Sequence, residues 1–189
     1  IVHISVADEL IKKLVVRLDS LKRGDPIDPN TQLGCIINSD AAQVVMSQIQ
    51  HTIDQGATCV YGNKLCYNTF VEPTILVNVS REMDIAMDME VFGPVIPIIT
   101  YETTDEAIEI ANQSCYGLEA SIISRNMELA INTASKLQAG SVVVNGAGSY
   151  RHMDMPFGGY KMSGIGRESV STTLEEFSQE KNYVIKNVL

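Results

Sequence analysis

The chain has 189 residues, 45% apolar and 20% charged, a balance that suits a folded globular protein and excludes disordered and fibrous classes. A formal net charge of −9 repels a phosphate backbone, which excludes nucleic acid as a partner, and no apolar run approaches the ~18 residues that would span a bilayer. Four cysteines, Cys35, Cys59, Cys66 and Cys115, show no CxxC or other metal-ligand spacing; they read as reduced, mostly buried small side chains in a cytoplasmic protein with no metal site.

The opening IVHISVADEL has no basic flank, no signal-length apolar core and no initiator Met, so the chain is expected to be cut from a longer one. Residues 5–21 place Leu10, Leu14, Leu18 and Leu21 at helical spacing, with Ser5 and Asp8 resembling a capping box. KRGDPIDPNTQLG describes an ordered turn region rather than a linker. A second helix is predicted over 40–55, from Val45, Ile49 and Ile53, with Gly56 as its stop.

Three β-branched segments, 58–61, 74–79 and 95–101, predict strands. Thr103 and Glu106 can box the start of a helix running to Ala111, 120–123 reads as a strand, and Met127, Ala130, Ile131, Ala134 and Leu137 line one helical face ended by Gly140. SVVVN, 141–145, is nearly all apolar, as a strand covered on both faces in a parallel sheet would be. A helix over 171–178 leads to NYVIKNV, whose alternation predicts a terminal strand with one covered face. Helices alternating with strands give an α/β fold, with no repeat or composition break to divide it.

The run MPFGGYKMSGIGRE, 155–168, is too rich in side-chain chemistry for a linker. Gly158, Gly159, Gly164 and Gly166 fit neither GxGxxG nor GxxxxGK[ST], so a phosphate loop is excluded on spacing. Taken as bare residues, Phe157 reads equally as a core aromatic or a pocket wall. Glu90 reads as a solvated acid, and Phe92 as a core anchor before the Gly93–Pro94 turn.

Six blocks in order nevertheless resemble the aldehyde dehydrogenase superfamily: GDPIDPNTQLG, FVEPTIL, EVFGPV at 90–95, NQSCYGL at 112–118, GSVVVN at 140–145 and the closing PFGGYKMSGIGRE. The resemblance implies a three-layer catalytic domain with a mostly parallel sheet and a C-terminal oligomerisation strand, divided as a catalytic domain over 1–181 and the strand over 182–189. It implies NAD or NADP as cofactor, with Glu90 accepting from ribose hydroxyls and Phe92 beside the nicotinamide riboside; a second acid common in the family at the preceding position is Met89 here. It places Phe157 on the wall of a tunnel for a small aldehyde and puts Ser149, Tyr150 and Arg151 in the variable loop at its mouth. Arg151 suits an anionic substrate tail through its paired donors, while pairing with Asp154 is the alternative.

Family chemistry also needs a nucleophilic cysteine and a glutamate base, and no cysteine here stands in the nucleophile's context, so no catalytic residue is assigned to this chain. The expectation is part of an aldehyde dehydrogenase, inactive alone, that forms a homo-oligomer, dimer or tetramer, and touches neither membrane nor nucleic acid. A non-catalytic scaffold or oligomerisation module of the same fold, and a CoA-acylating relative, are the competing readings.

Overall fold

The computed structural model describes residues 1–187, which form two compact units, Ile1–Ser114 and 115–187. The boundary falls inside NQSCYGL, where neither a glycine-rich stretch nor a charge run announces it.

In the first unit, strand β1 (Val2–His3) runs directly into helix α1 (Ile4–Asp19). The helix starts one residue before the expected position, and its cap is not Ser5 with Asp8: the His3 ring accepts from the Ser5 N–H at 3.2 Å. His3 can do this because β1 pairs in parallel with β7 (Thr100–Tyr101), where its ring meets Tyr101 edge-on at 5.3 Å. Helix α2 (Ser39–Asp54) follows, capped by Asn38 accepting from the Ala41 N–H at 2.8 Å.

Strands β2 (Thr58–Tyr61), β3 (Leu65–Cys66), β4 (Phe70–Val71), β5 (Thr74–Val77) and β6 (Val95–Pro97) follow. They make a three-stranded sheet in the order β2, β5, β6, antiparallel then parallel, and a small β3–β4 hairpin. The predicted strand over 95–101 is split, because Ile98 and Ile99 turn inward between β6 and β7. Alternation along β5 builds three layers: Ile75 points into a cluster with Leu18 of α1 and Ile98, whereas Leu76 points into another with Ala42, Val45 and Ile49 of α2. Both side chains are fully buried, so β5 is covered on both faces, and Ile110 of helix α3 (Thr104–Asn112) adds to the second cluster. The Thr103 hydroxyl caps α3 by accepting from the Glu106 N–H, as the spacing predicts, and the Glu106 carboxylate accepts in return from Glu102 rather than Thr103.

The second unit holds β8 (Tyr116–Gly117), β9 (Glu119–Ile122), helix α4 (Met127–Ala134), β10 (Ser141–Val144), β11 (Tyr160–Lys161) and helix α5 (Val170–Glu176). β9 and β10 pair in parallel, as the apolar run predicts, with Ser141 opposite Glu119 and Val144 opposite Ile122. All four β10 residues stay half-buried, short of the two-faced cover expected, because β9 is their one strand partner among the described residues. Asn126 caps α4, which stops at Ala134, before Leu137 and Gly140. β8 and β11 pair antiparallel.

Residues 182–187 of the expected terminal strand pair with nothing else among the described residues, and Tyr183, Val184 and Ile185 stand exposed; Val188 and Leu189 lie outside the described residues. Among the described residues the four cysteines form no disulfide; Cys35 is exposed and the other three are half-buried, less covered than the sequence suggests. Among the described residues no helix is long and apolar enough to cross a membrane.

Candidate functional site

Two places carry the expected site residues, one in each unit. In the first unit the chain leaves a short 3₁₀ turn (Asp84–Ala86) and crosses residues 88–94 before entering β6. Val91 packs against the core cluster, and Gly93 lies so close to α2 that a Cβ there would sit 2.7 Å from Val45 Cγ1. Between these anchors Phe92 is turned outward. It is 79% exposed, so the alternative of a core anchor is wrong: Val91 takes the inward place. Glu90 is exposed as well, its carboxylate free of ion pairs among the described residues, while its backbone carbonyl accepts from Gln48 Nε2 at 3.0 Å. A two-oxygen acceptor and an open aromatic face thus stand two residues apart on a loop held to α2 from below.

In the second unit the glycine-rich block is cross-braced, which explains how so permissive a backbone holds one shape. Phe157 and Glu168 exchange both backbone hydrogen bonds, at 2.7 and 2.6 Å. Arg167 Nη1 donates to the carbonyls of Gly159 at 3.1 Å and Gly166 at 2.6 Å, with its guanidinium 5.5 Å from the Tyr160 ring. Ser163 Oγ accepts from the Gly117 N–H at 2.9 Å, fastening the block to β8. The glycines serve close approach: a Cβ on Gly140 would fall 1.6 Å from the Gly158 carbonyl oxygen, and one on Gly158 2.5 Å from that of Gly166. The result is a cleft of about 330 Å³ with Phe157, Gly158 and Arg167 on its wall.

Arg151 and Phe157 are brought together: the guanidinium carbon stands 3.5 Å over the ring centroid, a cation–π contact. The alternative pairing of Arg151 with Asp154 is not formed, since Asp154 faces His152 Nδ1 at 3.7 Å. Arg151 also lines a hollow of about 630 Å³ with Met155, Glu168 and Leu174. Ser149 and Tyr150 line a separate hollow of about 500 Å³ with Asn145 and Gly146, and neither lines the Phe157 cleft.

Asn145 ends β10 in the left-handed region, φ 57°, where an asparagine is tolerated, and its side-chain oxygen accepts from the Ser124 N–H at 2.9 Å, clamping the loop that carries Ser149 to Arg151. Sequence reasoning missed Gln48. Its amide reaches Glu90 across 42 residues, and no local pattern on an amphipathic helix announces such a partner.

Comparison with known proteins adds four findings. The family model described as "Aldehyde dehydrogenase family" matches residues 1–183. The chain is 34% identical over 188 residues to the lactaldehyde dehydrogenase of Methanococcus maripaludis, covering 100% of this chain and 40% of that protein. Among solved structures it is similar to betaine aldehyde dehydrogenase from Staphylococcus aureus in complex with NAD+, with a TM-score of 0.89, 33% identity and coverage of 99% and 39% of the two chains. Glyceraldehyde-3-phosphate dehydrogenase from Methanocaldococcus jannaschii, complexed with NADP, gives a TM-score of 0.88, 37% identity and coverage of 94% and 38%. The chain therefore spans about two fifths of the length of these relatives.

Proposed function

We propose a function on one premise: this chain belongs to the aldehyde dehydrogenase family and has the fold of its catalytic domain. It is part of an enzyme that oxidises a small aldehyde to a carboxylic acid, with NAD+ or NADP+ as acceptor. The cysteine that carries the thiohemiacetal and thioester, and the glutamate that activates water, belong to the remainder of the longer protein, and this chain alone is inactive. The whole enzyme is a cytoplasmic homo-oligomer, a dimer or tetramer.

The residues present fit a dinucleotide. When bound, its nicotinamide ring accepts the hydride that leaves the aldehyde carbon. Glu90 offers two carboxylate oxygens to a pair of ribose hydroxyls, and the Phe92 ring offers an apolar wall to the nicotinamide riboside. The observation that supports this most is the 79% exposure of Phe92, a large apolar ring held into solvent by a loop whose neighbouring Val91 packs half-buried against the core.

On the substrate side, Phe157 forms a wall of the aldehyde tunnel and Arg151 holds an anionic substrate tail by paired N–H donors. Ser149 and Tyr150, in the same loop, contact the aldehyde at the tunnel mouth. The similar structures in complex with NAD+ and with NADP support either cofactor.

Steady-state kinetics on the full-length protein test the reading. Glu90→Ala and Phe92→Ala are expected to raise the KM for NAD(P)+ about tenfold or more, as loss of a charged acceptor or a stacking wall would, with the aldehyde KM little changed. Phe157→Ala is expected to do the reverse. Cofactor and aldehyde constants that ignore all three substitutions would overturn it.

A further inference from the structure

Gln48 is a half-buried polar side chain in the middle of α2, and only one end of its amide is used. Nε2 donates to the Glu90 carbonyl at 3.0 Å, whereas the buried Oε1 finds no donor among the described residues. The opposite orientation of the amide would set its oxygen against the Glu90 carbonyl oxygen, so the assignment is forced. If this position served folding alone, an apolar side chain would fill it without stranding an acceptor. What the amide supplies that an apolar group cannot is its hold on residue 90.

The seat of that hold is rigid. Gln48 is braced from behind by fully buried Thr52, whose hydroxyl donates to the Gln48 carbonyl at 2.8 Å. Three residues before Gln48, and so on the same helical face, Val45 packs beneath Gly93. Helix α2 thus pins residues 90–93 at both ends, by a hydrogen bond to the Glu90 carbonyl at one and by the Val45 side chain against the Gly93 backbone at the other, while the Glu90 and Phe92 side chains stay exposed.

We propose that Gln48 is a positioning residue for the dinucleotide: acting through the Glu90 backbone, it orders the loop before the cofactor arrives and so reduces the entropy lost on binding. The proposal rests on the reading of Glu90 and Phe92 as cofactor contacts.

The test is the dissociation constant of NAD(P)+ for the full-length protein, measured by titration calorimetry without aldehyde. Gln48→Met keeps the length of the side chain and removes both polar ends. It is expected to weaken cofactor binding about threefold to tenfold, the worth of one hydrogen bond. The urea midpoint and the aldehyde KM should hold, and amide hydrogen exchange over 88–94 should quicken. Gln48→Asn withdraws the amide by one methylene, is expected to give the same weakening, and serves if Gln48→Met does not fold. An unchanged constant in the folded variants, while Glu90→Ala and Phe92→Ala weaken binding, would overturn the role of Gln48 and spare the cofactor reading. Insensitivity to Glu90→Ala and Phe92→Ala would instead remove that reading and the proposal with it.

Discussion

Arg151 makes one contact in the structure and is proposed to make a second. Its guanidinium carbon stands 3.5 Å over the Phe157 ring centroid, and in the proposed enzyme its N–H donors would meet a carboxylate or phosphate on the substrate. Arg151→Ala is expected to raise the KM for anionic aldehydes about tenfold in the full-length enzyme and to leave neutral ones nearly unchanged; Arg151→Lys keeps the charge but loses the planar fork and should fall between. Equal effects on both substrate classes would remove the substrate role. Gly140 sits at the other extreme, where absence of a side chain is the whole contribution. A methyl group there would overlap the Gly158 carbonyl, backbone against backbone, so repacking offers no relief and Gly140→Ala should reach or exceed the upper end of the about 1–3 kcal/mol that overpacking costs. Gly34→Ala is the control: its Cβ would meet Pro26 at an ordinary 3.6 Å, and the urea midpoint should barely move. The motif made the importance of the closing glycines legible in the sequence, but their partners were not, because Gly140 and Gly158 meet only after the chain has folded back.

Between elements, Tyr61 of β2 ties the end of α1 to the sheet. Its hydroxyl donates to Asp19 Oδ1 at 2.8 Å and accepts from Arg23 Nη2 at 2.8 Å, and Arg23 in turn reaches Glu72 at 3.3 Å and the Leu18 carbonyl at 3.2 Å. Burial first, and then the bond to Asp19, raise the Tyr61 pKa above its ordinary value. A raised pKa means that the folded state favours the protonated phenol, so this contribution is complete below the unfolded value of about 10 and is lost as pH rises through the higher folded value. Tyr61→Phe should therefore cost about 0.5–1.5 kcal/mol at neutral pH, a difference in urea midpoint that narrows as the medium becomes strongly alkaline. A gap that widens with alkali would contradict the assignment. At this scale α1 and α2 were readable because three or more apolar residues repeat at helical spacing, and α3 because Thr103 and Glu106 announce its start. Strands of two residues, such as Val2–His3, Leu65–Cys66 and Tyr116–Gly117, were not, since two residues show no period and their pairing is decided by distant chain. The same limit hid Gln48, whereas Glu90 and Phe92 were singled out as candidates through the EVFGPV block and not through any pattern of burial.

At the scale of the whole molecule, the second unit carries apolar groups that the chain does not cover: Ile165 at 100%, Phe177 at 89%, and Tyr183, Val184 and Ile185 at 77–79%. Aromatic and β-branched residues in succession have strand character, yet residues 182–187 form no ladder among the described residues, and such an unpaired segment can pair with another molecule. The boundary between the units escaped sequence reading because a break in contact density leaves composition unchanged, whereas the terminal strand expected from alternation is not formed among the described residues. In the proposed homo-oligomer a second copy supplies the missing edge, and the exchange is symmetric because each copy offers the same segment. Removing residues 182–189 from the full-length protein should then shift sedimentation toward a smaller species while leaving the unfolding midpoint of the remaining subunit close to its original value. Replacing Val184 alone with proline, which cannot donate to a ladder and is excluded from central strands, should reproduce the shift without shortening the chain. An assembly of unchanged mass in both variants would show that the subunits meet elsewhere.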